Sequence, residues 1–248
     1  MTLFQKIIGF VVVFSTGFYL LRTGEFYNQK VLLADLGGIP WLYSAIGMIF
    51  SVLAAFVIQK EWEKWNSLLS SVKAEVGSLE ELWFWSLHFS EGLRLKFRNT
   101  IVAYLEVVIQ EDWRKSEQKG RSQEVEEAIL ALHNAVYEMF ENNKDLFPST
   151  FSIFSDIIRH RADRLYYASQ QMPSILRHTL IFGAGLVVFL SFLVGIKSVA
   201  LDYVFTVSIA TLAFTVFMVI DDLEHPLRPG GWHLTKKDYQ NLLKRING

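Results

Sequence analysis

Four stretches without a charged side chain place the strongest constraint on what this 248-residue chain can fold into. They are residues 7–21, 36–58, 179–196 and 203–220. Their lengths are close to the roughly 20 residues that a helix needs to cross a bilayer, the first being the shortest. The segment between the inner two is dense in Glu, Lys, Arg and Gln. The sequence therefore predicts an all-α membrane protein with four transmembrane helices and a bundle of long cytoplasmic helices.

The basic residues beside these stretches predict the orientation. On one side lie Lys6, Lys60, Lys64, Arg159, Arg161, Arg164, Arg177 and Arg228, and on the other lie Arg22, Lys30 and Lys197. Cytoplasmic loops carry the excess of Lys and Arg. We therefore expect a multi-pass protein of the inner (plasma) membrane with both termini and the body in the cytoplasm.

The expected domains follow from the same pattern. They are residues 1–58 with the first two spans, 59–173 as the cytoplasmic helical domain, 174–221 with the last two spans, and a cytoplasmic tail over 222–248. The first stretch has two alternatives to a full span, namely a removed secretory signal and an interfacial segment. No A-x-A-like cleavage site follows it, which favours a retained span.

Composition excludes several classes of protein. Hydrophobic residues make up 51% of the chain and aromatic residues 15%, too many for a disordered chain. The net charge of −1 gives no field to attract DNA or RNA, so no nucleic-acid partner is predicted. Without cysteine there is no disulfide, thiolate nucleophile or iron–sulfur cluster.

Enzyme signatures are also absent. The chain has no G-x-S-x-G, no H-E-x-x-H and no phosphate loop. Its six histidines are not paired at metal-ligand spacing. Gly183 and Gly185 lie inside a span, where small residues allow close helix packing. We predict neither an enzyme nor a metal or cofactor site.

The second stretch continues into the body as one apolar seam. Apolar or small residues recur at spacings of four and three, at Ser51, Ala55, Ile58, Trp62, Trp65, Leu69, Val72, Val76, Leu79 and Trp83. Pro40 suits a first helical turn and no Pro follows it within the seam, which predicts one helix of about 70 Å. The seam either packs against the chain's own later helices or lies partly on an oligomer axis.

Two further apolar stripes predict helices in the body. One consists of Leu93, Phe97, Ile101, Tyr104 and Val108, and the other of Val125, Ile129, Leu132, Val136 and Met139. Both have the spacing of one buried helix face.

Charges are nearly absent from the spans, which counts against a proton pump or an ion-coupled transporter. Asp202, at the edge of the fourth span, is expected to be solvated. A pore lined by small and hydroxyl residues and gated by apolar rings needs no buried charge. The second span offers such a face at Ser44, Gly47, Met48, Ser51, Ala55 and Ile58. A helix–helix interface is the alternative interpretation of this face.

Acidic residues cluster just beyond the fourth span, at Asp221, Asp222 and Glu224. Three carboxylates at a membrane exit either coordinate a hard cation or end the helix in solvent. The solvated interpretation is favoured.

Three motifs in this order resemble those of the bestrophin-like bacterial membrane proteins. They are residues 56–62 running into 72–79, residues 161–165 followed by Met172-Pro173, and residues 222–227 followed by Gly230-Gly231. The resemblance covers roughly residues 40–245. It implies a pentameric ion channel whose second span lines a pore leading into a cytoplasmic vestibule, with the lipid bilayer, copies of the same chain and inorganic ions as partners.

The resemblance also implies particular site residues. The pore and neck would be lined by Ser44, Met48, Ser51, Ala55, Ile58 and Trp62, and the exit motif would contain Asp222, Glu224 and Pro226. Glu224 stands where Asp is usual in the family, and Leu227 stands where Phe is usual. The acidic calcium clasp of animal bestrophins is not recognisable, so calcium gating does not follow. A membrane-anchored scaffold or sensor adaptor, whose helical body binds a cytoplasmic protein, is the alternative function.

Overall fold

The computed structural model describes residues 3–23, 39–110, 122–142, 144–194 and 198–248. These residues form eight α-helices and no strand. The helices are α1 (Leu3–Thr23), α2 (Ile39–Ser86), α3 (Glu91–Gln110), α4 (Gln123–Asn142), α5 (Phe147–Ser169), α6 (Ser174–Val194), α7 (Val199–Glu224) and α8 (Lys237–Asn247). The all-α prediction is confirmed.

The chain divides into two compact units, each made of several separate segments. Unit 1 consists of Met1–Trp62, Gln171–His225 and Gly230–Trp232. Unit 2 consists of Glu63–Gln170, Pro226–Pro229 and His233–Gly248. Helix α2 contributes its first half to unit 1 and its second half to unit 2.

Helix α2 is a single unbroken helix of 48 residues, as the sequence predicts. Pro40 occupies its first turn, where a missing backbone N–H costs no helical hydrogen bond. No proline or helix break interrupts it before Ser86. At 1.5 Å per residue, it is about 70 Å long.

The buried face of α2 differs from the predicted seam in unit 1. The chain's own packing buries Ala54 and Val57, whereas Ser51, Ala55 and Trp62 are exposed. From Val72 onward the predicted seam is correct, since Val72, Val76 and Leu79 are buried in unit 2. Lipid accepts apolar side chains on every face of a helix, so apolar spacing alone does not report which face contacts protein.

Unit 1 contains the apolar helices. Three helical segments among the described residues are long and apolar enough to cross a membrane, namely Pro40–Ser86, Ser174–Phe192 and Val199–Glu224. The apolar part of α1, Phe4–Leu20, is shorter than these, so the fourth span stays a prediction.

Aromatic rings join α1 to the other helices of unit 1. Phe10 stacks on Phe214 of α7 with ring centroids 4.2 Å apart, and Phe14 contacts Phe192 of α6. The Tyr203 hydroxyl donates to Ser15 Oγ at 2.8 Å. These contacts hold α1 against α6 and α7.

Asp202 corrects one expectation in unit 1. It is 2% exposed in the first turn of α7 and is not solvated. The positive end of the helix dipole favours a carboxylate at that position.

Unit 2 is a helical bundle in which α3 packs against α4 and α8, and α4 packs against α5. Every residue of the two stripes predicted for α3 and α4 is buried, which confirms both stripes. The C-terminal helix α8 completes this core with Tyr239, Leu242 and Ile246, all buried.

Candidate functional site

The first candidate site is a strip along one face of α2, which we call the α2 strip and define as Ser44, Met48, Ser51, Ala55, Ile58 and Trp62. Met48 is 69% exposed and Trp62 is 38% exposed. Ser44, Ser51 and Ala55 are also exposed, and Ile58 is half-buried. Successive spacings of four and three place the six residues on one helix face. In this single chain that face is largely uncovered, and it carries no charged residue.

The two hydroxyls of the α2 strip bond within their own helix. Ser44 Oγ donates to the Pro40 carbonyl oxygen at 2.9 Å, and Ser51 Oγ donates to the Gly47 carbonyl oxygen at 2.8 Å. Each serine therefore has its proton satisfied and presents oxygen lone pairs outward. The strip is polar at these points without any net charge.

The packed face of α2 lies beside the α2 strip. Ala54 and Val57 form a buried cluster with Met172, Leu180 and Ile220, which lie just before α6, in α6 and in α7. Partly buried residues of α2, α6 and α7 surround this cluster, and Ile58 of the α2 strip is one of them. Helix α2 is therefore anchored by one face, while the rest of the strip beside it stays open.

Glycine at position 183 supports this packing. A Cβ added to Gly183 would lie 3.2 Å from Cδ2 of Phe50, closer than ordinary van der Waals contact. The close helix packing expected here is therefore found at Gly183. Gly185 has no atom within 4 Å of such a Cβ, so it makes no close approach of this kind.

The second candidate site is the end of α7, where Glu224 is buried in an ion pair. Its side chain is 3% exposed. Arg177 Nη2 donates to both of its carboxylate oxygens at 2.5 Å, and the Met172 backbone N–H donates to Oε1 at 3.2 Å. The expectation that Glu224 is solvated is therefore wrong. The reason is that α6 begins three residues before Arg177 and so brings a cation to the end of α7.

Asp222 holds the loop that follows α7. The Gly231 backbone N–H donates to Asp222 Oδ2 at 2.6 Å. A Cβ added to Gly230 would lie 1.8 Å from Asp222 Oδ1, so this position has no room for a side chain as the loop stands. Among the described residues no group of three or more His, Cys, Asp or Glu side chains is arranged to hold a metal ion.

The structure brings Trp62 close to this loop. Trp232, directly after Gly231, packs edge-on against Trp62 with ring centroids 6.3 Å apart. Within unit 1, the predicted neck residue therefore contacts the loop that Asp222 holds. Pro226, the remaining exit residue, is buried, and its carbonyl oxygen accepts from the Leu234 N–H at 2.8 Å in unit 2.

Sequence analysis missed a buried ion pair in unit 2. Arg164 Nε donates to Glu75 Oε2 at 2.8 Å, and the two side chains are 4% and 0% exposed. The Tyr104 hydroxyl donates to Glu75 Oε1 at 2.5 Å, and Arg164 Cζ lies 6.0 Å from the centre of the Tyr239 ring. In the sequence, Arg164 was counted as a basic residue beside a span, and both Arg164 and Glu75 lie in the motifs of the family resemblance without any sign that they pair. One signal was present, since Glu75 lies at heptad spacing from the buried Leu68.

The electrostatics of this cluster follow from its burial. Burial, and then the negative charge of Glu75, raise the pKa of Tyr104 well above its usual value, against the opposing effect of Arg164. Burial raises the pKa of Tyr239 in the same way. Burial acts to lower the pKa of Arg164, but the attraction of Glu75 and the tyrosines outweighs it, and the pKa is raised. The arginine therefore stays charged and the tyrosines stay neutral at physiological pH.

These tyrosines predict a loss of stability in alkaline solution. A tyrosine of the unfolded chain ionises near pH 10, whereas Tyr104 in the folded protein ionises only at higher pH. The stability linked to its proton is complete below pH 10 and is lost as the pH rises toward the folded-state pKa. Tyr104→Phe should reduce the slope of unfolding free energy against pH above pH 10 by up to about 1.4 kcal/mol per pH unit.

The measurement is denaturant unfolding of the detergent-solubilised protein at several pH values. Tyr137→Phe, at an exposed position of α4, is the matched control and should keep the wild-type slope. An unchanged slope in Tyr104→Phe would contradict the prediction.

Together, the apolar helices of unit 1 and the helical core of unit 2 define an all-helical membrane protein. The Bestrophin-like domain model matches residues 37–229, more than half of the chain. The chain therefore belongs to the bestrophin-like family, as the resemblance in its sequence implies. No curated protein sequence matches the chain.

Solved structures have the same fold. Two crystal structures of a bacterial bestrophin homologue from Klebsiella pneumoniae, each with one substitution, match this chain. One has a TM-score of 0.75 at 10% identity and covers 100% of both chains. The other has a TM-score of 0.72 at 12% identity and covers 99% of this chain and 97% of that chain. A crystal structure described as a membrane protein matches at TM-score 0.72 and 12% identity, covering 98% and 96%.

Proposed function

We propose that this chain is the subunit of a homopentameric ion channel in which α2 lines the pore. One observation carries the proposal, namely that the α2 strip is uncharged and open while the neighbouring face of the same helix is packed against protein. A ring of identical subunits gives such a face a partner around a common axis. Membership in the bestrophin-like family supports the proposal, because the resemblance of the sequence to this family implies an ion channel.

The chemistry of the α2 strip suits conduction. Ser44 and Ser51 offer hydroxyl oxygens to hydrated ions, and Ala55 leaves room beside them. Met48 and Ile58 would form apolar rings, which are able to gate a pore by excluding water. No carboxylate or ammonium in the strip would hold a permeating ion tightly.

The proposed topology follows the sequence prediction. Helix α1 joins α2, α6 and α7 as the fourth span, and unit 2 lies in the cytoplasm with both termini. The α2 helix would then line the membrane pore with its first half and continue into the cytoplasmic vestibule with its second. Trp62 and the exit residues Asp222 and Glu224 would lie near the cytoplasmic end of the pore.

A bulky side chain in the α2 strip should block conduction. Ser51→Phe places a ring where the pore is proposed, and we expect ion flux into proteoliposomes to fall at least about tenfold because a narrowed apolar constriction excludes water. The measurement is dye-reported flux into vesicles containing the purified protein. Val52→Phe is the matched control, since Val52 is the next residue of the same helix, 52% exposed and outside the strip. It should retain most of the wild-type flux.

Two results would contradict the channel. One is wild-type flux no greater than that of empty vesicles. The other is equal flux in Ser51→Phe and Val52→Phe. Mass measurement of the solubilised particle tests the ring separately, since a lone subunit would exclude a central pore whatever the flux.

A scaffold remains the second candidate function, and exposed rings on unit 2 favour it. Tyr137 and Phe140 of α4 and Phe151 of α5 are 60%, 41% and 48% exposed. Phe140 and Phe151 both pack against Phe147, which makes the patch continuous. Exposed aromatic patches mark interaction sites. If the protein is a scaffold, the wild type should bind a cytoplasmic protein partner and Phe140→Ser should not. The wild type should then also show no ion flux.

A further inference from the structure

A cavity of about 280 Å³ lies between the first turns of α6 and the last turns of α7, within unit 1. Its wall includes Leu180 and Ile181 of α6 and Phe217 of α7. Its polar end is formed by Arg177, Asp221 and Glu224. The cavity is therefore amphipathic, with an apolar side and three charged groups at one end.

The charges at the polar end do not balance. Arg177 is paired with Glu224, yet the arginine side chain is 45% exposed and lines the cavity. The Asp221 side chain is 57% exposed, and its Oδ1 lies 3.6 Å from Nδ1 of His225. Two carboxylates and one guanidinium give this end a net negative charge with one accessible cation.

The cavity lies at the margin of two candidate membrane spans. The apolar segment of α6 begins at Ser174, and that of α7 ends at Glu224. The polar end therefore lies at the margin of both candidate spans, while the apolar wall continues along them. A ligand that fits must carry a positive and a negative group close together and an apolar tail.

We propose that this cavity binds the headgroup of a phosphatidylethanolamine lipid. Its ammonium has three N–H donors for Asp221, and its phosphate is an acceptor for the exposed edge of Arg177. Phosphatidylcholine has no N–H to donate, and phosphatidylglycerol has no cation to offset the two carboxylates. The volume is near the lower end of the roughly 300–1,000 Å³ of ligand pockets, which suits a headgroup with its chains lying along Leu180 and Ile181. The site does not depend on whether the protein conducts ions.

The test is lipid titration of the delipidated full-length protein in detergent, followed by native mass spectrometry. The probes are dioleoyl phosphatidylethanolamine, phosphatidylcholine and phosphatidylglycerol. We expect the wild type to retain the ethanolamine lipid about fivefold more tightly than the choline lipid, the scale of one half-exposed ion pair. Asp221→Asn should bring this ratio close to one. Asp156→Asn changes a carboxylate of α5 that is 40% exposed and far from the cavity in sequence, and it should leave the ratio unchanged.

A second pair of variants tests the apolar wall. Ile181→Trp fills the cavity and should weaken the ethanolamine lipid, whereas Phe182→Trp, at an exposed neighbouring position outside the cavity lining, should not. Soluble phosphorylethanolamine tests whether the tail matters, and it should compete only at much higher concentration. The proposal is overturned if the wild type binds the three lipids equally or not at all, if Asp221→Asn keeps the preference, if Ile181→Trp binds normally, or if phosphorylethanolamine binds as tightly as the lipid.

Discussion

Arg164→Ala should lower the free energy of unfolding by about 3–5 kcal/mol, the largest effect expected of any single substitution considered for this protein. The variant leaves the Glu75 carboxylate fully buried, with the Tyr104 hydroxyl as a donor but without its cation. A buried charge that loses its counter-charge carries the whole cost of its desolvation. The measurement is chemical unfolding of the detergent-solubilised protein followed by far-ultraviolet circular dichroism.

Two controls make this result specific to the pair. Arg159→Ala removes an arginine of the same helix that is 64% exposed and paired with Asp156, and it should cost less than about 1 kcal/mol. The double variant Glu75→Leu with Arg164→Leu removes both charges and should be more stable than Arg164→Ala. A small loss in Arg164→Ala, or a double variant less stable than the single one, would show that the pair does not contribute in this way.

Arg177→Ala is the second large effect, expected at about 2–3 kcal/mol of unfolding free energy. The Glu224 side chain is 3% exposed and would keep only the Met172 backbone N–H among its two donors described above. The expected loss is smaller than for Arg164 because the Arg177 side chain is 45% exposed, and water already screens part of its attraction.

The measurement for the Arg177 variants is the midpoint of thermal unfolding, followed by tryptophan fluorescence. Adding Glu224→Ala to Arg177→Ala removes the stranded carboxylate and should recover part of the lost stability. Arg177→Lys keeps the charge without the planar fork and should fall between wild type and Arg177→Ala. A double variant with a lower thermal midpoint than Arg177→Ala would contradict the prediction, because it would show that other contacts stabilise the Glu224 carboxylate.

The fold was largely predictable, because its determinants are local and periodic. The absence of proline from the seam after Pro40 and the unbroken alternation of spacings of three and four predicted the whole length of α2. The stripes of α3 and α4 were predictable for the same reason, since in water an apolar face must be buried. In unit 1 this argument fails. Val52 and Phe56 are 52% and 71% exposed beside the buried Val57, and all three are equally apolar.

The residues of the candidate sites could be predicted from the sequence, but the residues with which they form ion pairs could not. The α2 strip follows from residue size and spacing, and the exit residues follow from a motif. Nothing in the spacing links Glu75 with Arg164, which lie 89 positions apart. Nor does it link Arg177 with Glu224, because a charged residue beside a span satisfies the positive-inside pattern whether or not it is buried. Long-range ion pairs depend on how the helices pack, which periodicity does not encode.

The discontinuity of unit 2 has a consequence for biosynthesis. Its core needs α8, whose Tyr239, Leu242 and Ile246 are buried, yet α6 and α7 of unit 1 are translated between the main segment of unit 2 and α8. Domains generally fold as they leave the ribosome, but this one is incomplete until both later membrane helices have been made. The nascent α3 therefore exposes the surface that α8 covers until both later helices have been made. The docking of α8, which is the last of these helices to be translated, is therefore the step that completes the buried core of unit 2.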